Sequence, residues 1–254
     1  STGEATGVYW NAQELKALAS FVLDDIAPGD ATASAGDIAE AQYYRAMAYI
    51  YLAENHAYAP LEADGPAVPA TEILNLAVTD LQGAAGAGGE IGLAAQAALA
   101  RAYRWLGNAT AATTAANAVL SGDPDFLFLQ EFDAGSVSNN PWFFLVLRAL
   151  QEMQPLPRLD FLDPKYLTRE QGIPVAKAEE MHLILAEAAL AADNLGVAKQ
   201  ELINAINVAL DRGTVSFFDD DARLNADLSE RPHSASIEVR ADADSPYRDG
   251  LVLE

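Results

Sequence analysis

The sequence predicts an all-α protein built as an array of helical hairpins, and three observations carry that prediction. Apolar residues recur at the three-and-four spacing of amphipathic helices through most of the first 120 positions and again near 180–211. Short Gly, Asn or Asp breaks cut these stretches into helix-sized pieces. One pair of pieces repeats the other: Leu185, Ala186, Ala189 and Ala198 follow the order of Leu99, Ala100, Tyr103 and Ala112 at a constant offset of 86 positions. A helical domain over 1–213, interrupted by a loop-rich insertion at about 122–172, and a short extended segment over 214–254 are expected.

Taken in order, residues 11–26 place Leu15, Leu18, Ala19, Val22 and Ile26 on one helical stripe, with Pro28-Gly29 as the stop. Residues 36–55 form a second helix. Its stripe of Ile38, Ala41, Tyr44, Ala48, Tyr51 and Leu52 is widened by Tyr43, Ala46, Tyr49 and Ile50, so it should be central. Three prolines (Pro60, Pro66, Pro69) make 56–69 a long ordered loop, and a helix follows at 70–85. Between 92 and 121 a hairpin turns at Gly107-Asn108. Leu99, Ala100, Tyr103 and Leu106 face Ala112, Ala115, Ala116, Val119 and Leu120 across it, and Asp123-Pro124 ends it.

From 122 to 172 the helical period fades into segments rich in Phe, Pro, Asp, Ser and Asn, where binding residues are expected. Residues 173–192 and 196–211 then form a last hairpin, broken at Asp193-Asn194. Beyond 213, TVSFF and SASIEVRA alternate like short strands among aspartates. The 98–125 hairpin, with Leu99, Ala100, Tyr103, Gly107 and Ala112 in place, resembles a tetratricopeptide (TPR) unit. The offset of 86 is not a multiple of that motif's period of about 34 residues, which implies an interrupted array.

Composition narrows the function. In 254 residues, 37 acidic side chains face 15 basic ones, a formal charge of −22. Such a surface repels phosphate backbones and anionic headgroups, so nucleic-acid binding is rejected. The only lysines are Lys16, Lys165, Lys177 and Lys199; few lysines with many aspartates suit a protein kept soluble in high salt. Without cysteine there is no disulfide, thiolate metal site or cysteine nucleophile. No apolar run approaches the roughly 18 residues of a membrane span, so no transmembrane segment is expected. The chain starts at Ser1 without a basic-then-apolar leader, which by itself suggests a cytosolic protein or a mature fragment.

Catalytic patterns are equally sparse. His56, His182 and His233 lack metal-site spacing, and no G-x-S-x-G elbow or phosphate loop occurs. His182 reads as a core or interface histidine. Adjacent carboxylates Asp24-Asp25 and Glu179-Glu180 point to different helix faces, which suits solvation. No enzyme activity and no cofactor are expected. Asp219, Asp220 and Asp221, with Asn225, Asp227 and Glu230, are weak candidates to gather calcium; they lack the glycine turn of a calcium loop, so a solvated acidic turn is the favoured reading and no metal site is expected. Arg45 and Glu187 stand in apolar helices and should be buried charges with partners on neighbouring helices. Trp10, Tyr58, Trp142 and Phe143 fall in or beside loops; their rings could stack on sugars while Asn139, Asn140 and Asp160 bind hydroxyls. The alternative is that these rings plug the core beneath the loops.

The order of motifs resembles one family, the SusD/RagB nutrient-binding lipoproteins of Bacteroidota-type outer membranes. IAEAQYYRAMAYIYLAENHAYAPL (38–61) is similar to its long helix and following loop, and EILNLAVTDLQGAA (72–85) to the helix carrying an Asp-Leu pair, here Asp80-Leu81. AALARAYRWLGNATAATTAANAVL is similar to its next hairpin, and RLDFLDPKY (158–166) to its Arg-Leu-Asp-Pro-Arg region. PVAKAEEMHLILAEAALAADN with INAINVALDRG is similar to its closing hairpin. The resemblance implies non-catalytic capture of a glycan, peptide or other oligomeric nutrient at the cell surface. It also implies localisation to the outer membrane and delivery to a TonB-dependent transporter. The alternative function is structural: a helical array that self-associates or scaffolds a larger complex.

Overall fold

The computed structural model describes residues 2–133, 135–136, 170 and 172–212, with side chains from Gly7 onward. The chain divides into two compact units, Ser1–Phe126 with Ala176–Glu201, and Leu127–Val175 with Leu202–Glu254. The described part is mainly helical, as the sequence predicts.

The first unit is a series of helices each packed on the next. Helix α1 (Thr2–Phe21) runs into a π turn (Val22–Ile26) and a 3-10 turn (Ala27–Gly29). It starts nine residues before the predicted boundary, and its inward face also differs. Ala12 and Ala19 are buried, whereas Leu18 (59% exposed), Phe21 and Ile26 face solvent. The reason is that α1 packs on α2 through its smallest residues, which lets the two backbones approach and turns the bulky side chains outward.

Helix α2 (Ala35–Asn55) begins at a capping box in which the Ser34 hydroxyl accepts from Asp37 N and the Asp37 carboxylate accepts from Ser34 N. It touches α1, α3 (Ala70–Ala85) and α4 (Gly89–Trp105). Tyr43, Ala46, Met47, Ala48, Ile50 and Leu52 are accordingly buried, so the sequence's central helix is central. The stretch from 56 to 69 is more regular than the expected loop. Strands β1 (Tyr58–Pro60) and β2 (Ala67–Pro69) pair antiparallel, with Ala59 opposite Val68. Proline is tolerated because each strand of a two-stranded ribbon has a free edge.

Alanines Ala94, Ala95, Ala97, Ala98, Ala100 and Ala102 line the inner side of α4, and Ala112, Ala115 and Ala116 that of α5 (Ala109–Gly122). They bury little area themselves but let the larger Ile73, Leu81 and Val119, all fully buried, fill the spaces between helices. The two described strands of the second unit, β3 (Leu127–Gln130) and β4 (Ile173–Lys177), are paired; the last two residues of β4 belong to the first unit. The sequence reading placed 173–177 inside a helix. Pro174 pushes Ile173 into extended conformation, and β-branched Ile173 and Val175 favour it, so helix α6 starts only at Ala178 (Ala178–Ala191).

Helix α6 packs on α5 and α4, and α7 (Leu195–Asp211) follows. The α4–α5 and α6–α7 turns are superimposable in their bonding. Gly107 (φ 72°) and Asp193 (φ 59°) both adopt the left-handed conformation. Asn108 N donates to Tyr103 O and Asn194 N to Ala189 O; Gly107 N donates to Arg104 O and Asp193 N to Leu190 O. Asn108 and Asn194 then cap the next helix, accepting from Ala111 N and Val197 N. The 86-residue sequence repeat is therefore also a repeat of structure.

Candidate functional site

Two of the sequence-predicted ring residues fall among the described residues, and neither plugs the core. Trp10 is 64% exposed and Tyr58 66% exposed. Trp10 stands in the middle of α1, not beside a loop as expected, because the helix begins at Thr2, whereas Tyr58 opens β1. Tyr9 sets its ring edge-on to Trp10 at 5.3 Å and edge-on to His56 at 5.5 Å, and Tyr58 follows His56 by two residues on β1. The base beneath them is rigid. Ala12, Leu52, Ala59 and Ile73 form a buried cluster, with Tyr9, Tyr49, Tyr51, Leu61 and Val68 packed on it. Gln13 Nε2 donates to Pro60 O at 2.6 Å, tying α1 to the ribbon, and Ala70 N donates to Ala57 O at its foot.

Polar chemistry here is limited. His56 Nε2 is buried with no hydrogen-bond partner among the described residues. Burial lowers the Lys16 ammonium pKa, with the Glu62 charge opposing. Exposed rings on such a packed base can hold a ligand by stacking. Asn139, Asn140, Trp142, Phe143 and Asp160 lie outside the described residues. So do the calcium candidates Asp219, Asp220 and Asp221, with Asn225, Asp227, Glu230 and His233. No group of three or more acidic or His side chains suited to a metal occurs among the described residues.

The ion pairs are the more developed chemistry. Arg45 grips Asp80 of α3 with two bonds, Nε to Oδ2 and Nη2 to Oδ1, each 2.7 Å, and Asp24 stands 3.7 Å away. Hydrogen bonding to Asp80 raises the Arg45 guanidinium pKa despite burial. The inter-helix partner expected for Arg45 is thus present. Glu187 also has one, Arg104 of α4, but the expected burial is wrong: its side chain is 55% exposed. It lies on the outer edge of α6, where solvent reaches the pair.

Sequence reasoning missed a second bidentate pair. Arg101 of α4 binds Glu180 of α6 through two 2.7 Å bonds, so Glu180 is a clamp rather than a solvated charge. Burial works against the Arg101 charge, but the Glu180 bonds and the Glu180 and Glu54 carboxylates outweigh it. Nearby Glu54 accepts from Trp105 Nε1 at 3.1 Å. Burial raises the Glu54 pKa, with Arg101 and the Trp105 bond pulling the other way. The signal was present: Arg101 and Arg104 share a face of α4 at three-residue spacing, as Glu180 and Glu187 do on α6 at seven. His182 joins α6 to α7 through Glu201, 2.7 Å away, an interface role as expected.

Neither a scan of protein-family models nor a search of curated proteins finds a match to this chain.

Proposed function

We propose that the protein is a non-catalytic binder of a glycan or other oligomeric nutrient at the bacterial cell surface, handing it to a TonB-dependent outer-membrane transporter. The class and location rest on the motif order resembling SusD/RagB proteins. The observation that carries binding is the exposure of Trp10 and Tyr58 on the helical array, where rings of this size would ordinarily be mostly buried. Arg45 and Arg101 are locked into bidentate pairs, a scaffold role. No described helix is long and apolar enough to cross a membrane. A thermal-shift screen against neutral polysaccharides and their oligomers tests this reading. At least one should raise the midpoint by several degrees in a dose-dependent way; a flat response across the panel would refute it.

A second reading, assembly, has its own observation. Trp10, Leu18 and Phe21 fall on one outward stripe of α1, all more than half exposed, and uncovered apolar stripes mark association surfaces. Sedimentation velocity separates the two. Concentration-dependent association of the wild type that Leu18→Glu with Phe21→Glu abolishes would favour assembly; a monomer at all concentrations would remove it.

A further inference from the structure

The two equivalent hairpins share a turn but not a filling. Because Tyr103 O and Ala189 O accept the same turn bond, from Asn108 N at 2.9 Å and Asn194 N at 2.8 Å, Tyr103 and Ala189 occupy the same station on their helices. On α4 the tyrosine reaches toward α3, where its hydroxyl accepts from Gln82 Nε2 at 2.9 Å. On α6 the alanine leaves the station empty. A groove of about 420 Å³ opens there, bounded by Thr110, Thr113 and Asn117 of α5, Leu185 and Ala189 of α6, and Glu201 of α7.

The lining matches what a tyrosine ring would need. Leu185, Ala188 and Ala189 make an apolar floor. Along the α5 wall, Thr113 Oγ1 donates to Thr110 O and Asn117 Nδ2 to Thr113 O. Each side chain has then used one donor, which leaves the Thr113 oxygen able to accept and the Asn117 carboxamide able both to accept and to donate. Asn117 thereby brings to this groove the same functional group that Gln82 brings to Tyr103.

We propose that the α5–α6–α7 groove binds a hydroxyl-bearing aromatic ring, seated on Leu185 and Ala189 with its hydroxyl toward Asn117. This does not depend on the glycan reading. The ring could belong to a free phenol or to a tyrosine side chain of another polypeptide. The test uses p-cresol and acetyl-Gly-Tyr-Gly-amide as probes of the two sources, with toluene as control. They are titrated into the full ¹⁵N-labelled chain and read by amide shifts.

p-Cresol should move the amides of 110–117 and 185–189 with a Kd of about 1 mM or tighter, and toluene should bind at least about tenfold more weakly. Asn117→Ala should reduce p-cresol to the level of toluene. Ala189→Tyr, which restores the ring of the sister hairpin, should abolish binding while keeping or raising the melting temperature. Should that variant not fold, Ala189→Val must weaken p-cresol by about threefold or more, in line with the lost space. Tighter binding of the peptide than of p-cresol assigns the groove to a partner's tyrosine; exclusion of the peptide assigns it to a free phenol. No shift at these amides with either probe, or wild-type binding by the Ala189 variants, overturns the proposal.

Discussion

Replacing Asp80 by asparagine is the sharpest perturbation of the scaffold. Asp80 is the one charged residue buried below a tenth of its surface among the described residues, at 6%, and it holds Arg45 through two 2.7 Å bonds. Asparagine keeps the volume and one acceptor but removes the charge, leaving a guanidinium that is 19% exposed without its main counter-ion. Breaking a buried pair on one side costs about 3–5 kcal/mol. Arg45 keeps some solvent and has Asp24 at 3.7 Å, itself 68% exposed and so a weak substitute. The lower end, about 3 kcal/mol, is therefore expected. For a protein of this size that lowers the melting temperature by roughly 6–12 °C. Urea unfolding of wild type, Asp80→Asn, Arg45→Met and the double variant closes the cycle. The double variant should recover much of the loss, since the unpaired charge goes with its partner. An Asp80→Asn variant within about 0.5 kcal/mol of wild type, or strictly additive single effects, would refute the reasoning.

Two further perturbations probe the same scaffold. Glu54 has its pKa raised by burial, so its charged form opposes folding above that raised value, and the cost fades as pH falls toward the ordinary glutamate range. Glu54→Gln, which still accepts from Trp105, should be more stable than wild type at pH 7 and equal to it near pH 4 in paired melting curves; the reverse trend would contradict the burial argument. The shared turn predicts opposite effects at equivalent sites. Gly107→Ala, forced to φ 72°, should lose about 1 kcal/mol, while Asp193→Gly, relieved at φ 59°, should gain roughly 0.5 kcal/mol in denaturant midpoints.

How far the sequence reached depends on the range of each signal. Helices α2 to α5 were legible because period, break residue and cap all lie within a few positions of one another. Gly107-Asn108 is the clearest case, with a left-handed residue followed by an N-cap. Arg45 was legible as a charge needing a partner, but not which one, because Asp80 lies 35 positions away. The Arg101–Glu180 clamp spans 79 positions, so the charge spacing on each helix hints at a partner without saying that Glu180 meets Arg101. The inward face of α1 was misread for a related reason. A helix with bulky residues on one stripe and alanines on another offers two candidate faces, and only the neighbour's shape selects the alanines. Strands as short as β1 and β4 carry too few residues to show a two-residue period, although Pro174 marked where the helix could not begin. At the candidate site, sequence placed Trp10 and Tyr58 beside loops, although Trp10 lies within α1, while their exposure and the stiff base under them depend on contacts of Tyr9, Gln13 and His56 across three elements.

Calorimetric titration of a neutral oligosaccharide into the wild type, Trp10→Ala and Tyr58→Ala addresses the binding claim most directly. The account predicts a saturable heat in the wild type and an affinity at least about tenfold lower in each variant, a loss of about 1.4 kcal/mol, with melting temperatures unchanged because both rings lie outside the core. Oligosaccharide binding that survives both substitutions intact, or no saturable heat with any neutral oligosaccharide, would contradict it.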